Sequence, residues 1–217
     1  PLVGSLAYLL VEMAPGLGQR RAVRMAKTAA IKATDPDREV RSAQDELDTA
    51  DTAANRIGLA DALAEQGKWT ESILHYREAL AKSPRGDRPT QRKLARAHLE
   101  AGDAAEAKRL LETLPKSHSA AEEDRGNLLL ARALAELGES GSALALFADL
   151  GERMPGGEPL CRQAALLIEL GRDSEAVEPL AEAERRARRI DRFEKARDRE
   201  MYDWAERTLA ELRARGR

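Results

Sequence analysis

Side chains able to do acid–base, nucleophilic or metal chemistry are few in this 217-residue chain, and they stand far apart. Its three histidines are His75, His98 and His118, and none has a partner at metal-ligand spacing. Cys161 is the single cysteine, which excludes an internal disulfide framework and a multi-cysteine zinc site. No Cys or His lies near it in sequence to activate it, so it reads as an inert thiol and not as a nucleophile. Gly-Leu-Gly at 16–18 and Gly156-Gly157 lack the preceding strand and the following Lys-Ser/Thr of a phosphate loop, and both read as ordinary loops. The run Arg185-Arg-Ala-Arg-Arg189 invites a nucleic-acid reading. Glu182, Glu184, Asp191 and Glu194 surround it, however, and few aromatics interleave for stacking, so it reads as a solvated helix end near a dipole's negative pole. The sequence therefore shows no catalytic constellation, cofactor motif or metal site, and it predicts a protein that is not an enzyme.

The composition says what kind of scaffold carries these residues. The chain is 42% hydrophobic, 34% charged and only 3% aromatic, which is thin for a β-sandwich or barrel. Ala, Leu, Glu and Arg fill the gap, a composition that closely packed helices use. A net charge of −2 argues against nucleic acid as the main partner. The length suits one domain or one short repeat array with a sizeable core.

An internal period organises the middle of the chain. Leu59-Ala60, Gly67, Ser72, Tyr76, Ala79 and Pro84 form one series. Leu94-Ala95, Gly102, Ala107, Leu111 and Leu114 form a second, and Leu130-Ala131, Gly138, Ala143, Phe147, Leu150 and Pro155 a third. Gln163-Ala164, Gly171, Ala176, Leu180 and Ala183 complete a fourth. The glycines are 35, 36 and 33 residues apart, and a small residue follows each of them at an interval of five. Each unit reads as an antiparallel helix pair: the glycine supplies a left-handed C-cap, and the small residue marks a close helix crossing. One such pair cannot bury its own apolar faces, so neighbours must stack.

On these residues the chain resembles the tetratricopeptide repeat (TPR) family over about residues 53–187. The resemblance implies an all-α, right-handed α-solenoid of about four TPR helix pairs with flanking N-terminal and C-terminal capping helices, nine or ten helices in all. The expected units are 53–86, 88–121, 120–156 and 157–190, within a repeat domain spanning 53–190. A capping helix at 35–52 opens behind Asp35-Pro36, and another at 191–217 opens at the Asp191-x-x-Glu194 capping box. Ser119-x-x-Glu122 is a further capping box, placing a helix start near Ala120. Pro115 predicts a short second helix in repeat two, and Pro179 a kink or a lost hydrogen bond in repeat four. Ile190, Phe193, Met201, Trp204, Ala205, Leu209 and Leu212 fall at roughly helical spacing along the C-terminal cap.

In this family the first helix of each pair lines a concave groove. Carried over position by position, the resemblance places Ile57, Asp61 and Glu65 there, then Arg92, Arg96, Leu99 and Glu100. Arg125, Leu128, Arg132 and Glu136 follow, then Arg162, Ala165, Ile168 and Glu169. Five arginines in one groove can grip carboxylates of an acidic protein or peptide partner. The competing account is an internal Arg–Glu ladder using Glu65, Glu100, Glu136 and Glu169. The Lys/Asn clamp of chaperone-binding members is absent, since Ile57 and Asp61 stand in its place, and chaperone-tail recognition is not expected. His98 falls in a slot the family gives to a larger aromatic and reads as a packed side chain.

The first 34 residues differ from the rest. They carry Arg20, Arg21, Arg24, Lys27 and Lys32 against Glu12 alone, a net +4. Ahead of the basic run lies an apolar stretch of about 13 residues, shorter than the roughly 20 of a spanning helix. The stretch Pro1-Leu-Val-Gly-Ser-Leu-Ala-Tyr-Leu-Leu resembles the end of the membrane hairpin in phospholipase D–nuclease N-terminal regions. With no initiator Met before Pro1, the segment reads as the tail of a membrane anchor, its basic stretch at the cytoplasmic face. A short buried helix is the plain alternative. A signal-peptide remnant is opposed by the order of charge and apolar run. The expectation is a TPR scaffold or adaptor at the cytoplasmic side of a bacterial inner membrane, the alternative location being the cytoplasm. An architectural subunit of a membrane complex, using convex ridges and terminal helices, is the rival function.

Overall fold

The computed structural model describes residues 35–83, 87–190 and 198–215. The N-terminal segment 1–34, Pro84 and the Asp191-x-x-Glu194 box lie outside the described residues. Ten helices and no strand occur among the described residues. They are α1 (Arg38–Thr49), α2 (Ala53–Glu65), α3 (Trp69–Ala81), α4 (Arg88–Glu100), α5 (Ala104–Glu112), α6 (Ala120–Glu136), α7 (Ser140–Arg153), α8 (Glu158–Glu169), α9 (Asp173–Ala187) and α10 (Arg199–Arg215). Each helix from α1 to α9 packs on the next in sequence, and α10 packs on α9. Contacts that skip a helix join α4 to α6, α6 to α8 and α8 to α10, which is the signature of an α-solenoid. No helix among the described residues is long and apolar enough to cross a membrane.

The turn inside each pair is built around its glycine. Gly67, Gly102, Gly138 and Gly171 have φ of +73°, +84°, +77° and +70°, the left-handed region that side chains with a Cβ enter at a cost. In each turn the following N–H returns to a carbonyl of the finished helix, as Lys68 N to Leu63 O at 3.0 Å and Glu139 N to Leu134 O at 2.9 Å. This is the Schellman arrangement, and it reverses the chain without orphaning the last carbonyls.

The small residues then let the two helices close. Ala60 and Ser72, Ala95 and Ala107, Ala131 and Ala143, and Ala164 and Ala176 are all fully buried. In the first pair the Ser72 hydroxyl donates to the Ala60 carbonyl at 2.8 Å, which fixes how closely the backbones approach. One turn further along, Tyr76, Leu111, Phe147 and Leu180 fill the space between pairs. The core is accordingly a string of five small clusters, most of them shared between neighbouring helix pairs, and not one central nucleus.

Prolines and caps shape the exceptions. Helix α5 ends at Glu112, ahead of Leu114 and Pro115, so the second helix of repeat two is short. Helix α9 runs through Pro179, whose missing N–H leaves one intrahelical bond unmade. Two caps differ from the sequence expectation. Helix α6 begins at Ala120, but Ser119 makes no side-chain cap; Glu122 accepts instead from the Ser117 hydroxyl at 3.1 Å, and Glu123 from the Ser117 N–H at 2.9 Å. Helix α1 begins at Arg38, and the Asp35 carboxylate accepts from Arg41 at 2.6 Å instead of capping a backbone N–H.

The α7–α8 connection is held from two sides. Arg186 of α9 donates through Nη2 to Gly151 O at 2.7 Å, and through Nη1 to Met154 O and Gly156 O at 2.7 and 3.2 Å. Its Nε donates to Glu182 at 2.7 Å. From α10, the Tyr202 hydroxyl accepts from Gly157 N at 3.1 Å, at the start of α8. A Cβ on Gly157 would lie 2.7 Å from the Tyr202 ring, so the loop needs glycine there for close approach. Ala205, Leu209 and Leu212 of α10 complete the last cluster on α8 and α9.

Candidate functional site

The first helices α2, α4, α6 and α8 present one connected groove. Its central cavity, about 460 Å³, is walled by six cationic side chains, Arg92, Lys93, Arg96, Arg125, Arg132 and Arg162. Only two carboxylates, Glu100 and Glu158, stand among them. Lys93 and Arg96 also line a neighbouring cavity of about 270 Å³ with Asp61, Trp69 and Tyr76. Arg132 and Arg162 continue into another, of about 190 Å³, with Ala165 and Glu169. Shared walls make the three cavities one trough across all four repeats.

Ion pairs divide the cations. Lys93 Nζ lies 2.6 Å from Asp61 Oδ2, and the same carboxylate accepts from the Tyr76 hydroxyl at 2.5 Å. Burial, with Asp61 beside it, raises the Tyr76 phenol well above its ordinary pKa. Arg132 Nη2 donates to Glu100 Oε1 at 2.9 Å. Both bonds link consecutive repeats. Arg162 pairs within its own helix, with Glu158 at 2.8 Å. Arg96 is 61% exposed and stands 3.8 Å from Glu100. Arg92 and Arg125 make no ion pair among the described residues, and Arg92 Nη1 is sheltered from solvent without a hydrogen-bond partner. The internal ladder is thus partial. Its rungs are Asp61–Lys93 and Glu100–Arg132, while Glu136 and Glu169 line the trough without an ion pair among the described residues.

The positions taken from the family pattern separate in the structure. Asp61, Arg92, Arg96, Arg125, Leu128, Arg132, Arg162 and Ala165 line the trough. Leu99 does not: it is buried with Ala104, Ala107 and Ala133. Ile57 packs on the cluster of Ala60 and Tyr76, and Ile168 on that of Leu167 and Leu180. Successive helical residues are turned about 100° apart. Glu100 and Glu169 take the groove direction, and the neighbouring apolar residue points inward. Lys93 and Glu158 are charged groove residues that the pattern misses. A signal for Lys93 exists, since Asp61–Lys93 and Glu100–Arg132 are both opposite charges 32 residues apart, close to one repeat.

None of the histidines lines the trough, and neither does Cys161. His98 is buried, with Nδ1 3.0 Å from Asp103 Oδ2 and Nε2 3.1 Å from Arg77 Nη2. Asp103 also caps α5 by accepting from Glu106 N at 3.1 Å, so this histidine belongs to a structural network. Cys161 is buried, and burial, with Glu158 adding to it, pushes its thiol up to about 12, far from thiolate chemistry. His75 is pulled below its ordinary value by burial and then by Arg56. Gly156-Gly157 is the loop held by Arg186 and Tyr202. In the basic run, Arg185 pairs with Glu178 and Glu182, and Arg188 with Glu184. No group of three or more metal-ligating side chains occurs among the described residues.

Residues 63–125 match the tetratricopeptide repeat family. That span runs from the end of α2 through α5 into the start of α6. Solved structures share the TPR fold over most of the chain. PilW, a widely conserved type IV pilus biogenesis factor, has a TM-score of 0.65 at 12% identity, covering 93% of each chain. A thermophilic TPR protein of Thermus thermophilus has a TM-score of 0.62 at 17% identity, covering 88% of this chain and 96% of its own. YrrB, a TPR protein with an unusual peptide-binding site, has a TM-score of 0.55 at 15% identity, covering 73% and 81%. At these identities the likeness is one of fold. No curated protein matches the chain.

Proposed function

We propose that this chain is a non-enzymatic TPR scaffold that holds an acidic segment of a partner protein in its concave groove. The observation that carries the reading is the cationic trough, in which the internal ladder consumes only part of the positive charge. The buried thiol of Cys161 and the partnered ring of His98 support a binding role over catalysis. YrrB, whose fold is similar, has a peptide-binding site, and this supports a peptide-type ligand here. We place the protein at the cytoplasmic face of a bacterial inner membrane, on the strength of the apolar residues 1–13 followed by the basic run.

The groove variant Arg96→Glu with Arg125→Glu tests the reading. Both side chains are exposed and neither forms a rung between repeats. Native partner recovered with the full-length protein is expected to fall about tenfold or more, with an unchanged melting temperature. Undiminished recovery contradicts the groove. Location has its own test, since an anchored protein stays with membranes through carbonate and high-salt washes. Release by salt alone indicates attraction of the basic run to anionic lipid. Recovery in the soluble fraction at low salt contradicts both.

One observation favours the architectural alternative, in which convex ridges and terminal helices make the contacts. Leu74, on the second helix α3, is 56% exposed, the most exposed large hydrophobic side chain among the described residues.

A further inference from the structure

The cations of the groove fall into two sets according to what holds them, and we propose that the division is functional. Lys93 and Arg132 are structural rungs, whereas Arg92 and Arg125 are the receptor for a pair of carboxylates on an acidic peptide. This rests on the reading of the groove as the partner site, and adds which side chains read the ligand.

The rungs are identified by their partners. Lys93 reaches from α4 to Asp61 on α2, a carboxylate already engaged by Tyr76. Arg132, only 15% exposed, reaches from α6 to Glu100 on α4. Each therefore sets the angle between consecutive first helices. A ligand carboxylate competing for either one would have to break a bond that joins two repeats.

Arg92 and Arg125 are placed differently. They project from α4 and α6 into the same cavity, with no carboxylate at ion-pairing distance among the described residues. Arg92 Nη1 is shielded from water and has no acceptor. A guanidinium donor withdrawn from solvent without a partner is an unmet demand that an incoming acceptor satisfies. Arg125 is open to solvent on the facing helix, so a second carboxylate of the same ligand can be taken bidentately across the cavity.

The cavity also defines the chemical class of that ligand. Glu100 and Glu158 stand in its wall but are already ion-paired to Arg132 and Arg162, so Arg92 and Arg125 keep their charge for an anionic ligand. No aromatic side chain lines it, so it offers bases no stacking platform. That absence favours a peptide over a nucleic acid. The segment 1–34 has a net charge of +4, the same sign as the groove, which argues against it as the occupant and for an acidic partner peptide.

Fluorescence anisotropy on the full chain tests the division, with labelled hexaglutamate as probe and hexaglutamine, hexalysine and an oligothymidylate as controls. Hexaglutamate is expected to bind with an affinity that falls as salt rises, and more tightly than any control. Arg92→Gln with Arg125→Gln should weaken hexaglutamate about tenfold or more while leaving the melting temperature unchanged. Lys93→Gln with Arg132→Gln should lower the melting temperature. Unchanged hexaglutamate binding in the first variant overturns the assignment, as does a fall in its melting temperature. Tighter binding of the oligothymidylate overturns the ligand class. If hexaglutamate fails to bind while Arg96→Glu with Arg125→Glu still loses the native partner, this proposal falls and the groove reading stands. If that variant keeps its partner, the groove reading itself falls.

Discussion

Arg186→Met is expected to destabilise the protein by about 3 kcal/mol, because it withdraws donors from three backbone carbonyls at once. Methionine keeps most of the aliphatic stem, so the loss measures hydrogen bonds and not packing. Gly151 O, Met154 O and Gly156 O belong to the end of α7 and the loop into α8, where no other helix reaches them with donors among the described residues. At about 2–4 °C per kcal/mol for a chain of this size, the melting midpoint should fall roughly 6–12 °C. Repeat proteins open locally, so hydrogen exchange should quicken first in α7, α8 and α9 while α2 to α4 keep their protection. Arg186→Lys should recover only part of the loss, since an ammonium cannot fork between Gly151 and Met154. A change within about 1 kcal/mol would show that these carbonyls are satisfied without the guanidinium.

Ala143→Leu is the second large effect, and it probes the repeat register directly. Ala143 is fully buried in the cluster that holds Ala131, Leu128 and Phe147. The added isobutyl group has no space at a crossing built for a methyl, and overpacking such a site costs about 1–3 kcal/mol or more. The control is Ala145→Leu, two residues further along the same helix on an exposed position, which should be nearly neutral. Equal melting temperatures for the two variants would contradict the register. Acid should weaken the same region from another direction. Glu182 is held below its ordinary carboxylate pKa by hydrogen bonds from Arg186 and Arg185. Its contribution is complete above the unfolded-state pKa, and it is lost as pH falls through the folded one.

How much of this was legible in the sequence depends on the range of the interaction. The turn glycines and the small residues five positions later are hard steric requirements repeated four times, so spacing alone locates them. The short α5 follows from Pro115 in the same way. Side-chain direction within a groove helix is harder: Leu99 sits beside Glu100 and Ile168 beside Glu169, and only packing against the next pair decides which turns inward. Arg186 is the least legible. In the sequence it is one of several arginines in a charged helix end, and its acceptors are carbonyls 30 to 35 residues upstream that any residue type supplies. The unfulfilled caps at Ser119 and Asp35 were decided locally, by Ser117 donating to Glu122 and Glu123 and by Arg41 donating to the Asp35 carboxylate.

The most direct test of the central claim is where the native partner touches the solenoid. A photo-crosslinking residue at Ala165, in the wall of the groove, can be compared with one at Leu74, exposed on a second helix. Both are placed in the full-length protein and activated in intact cells. The account predicts a defined crosslinked partner from position 165, with the bound peptide rich in Asp and Glu, and none from position 74. Crosslinks from position 74 alone would contradict the groove and leave the convex surface as the working face.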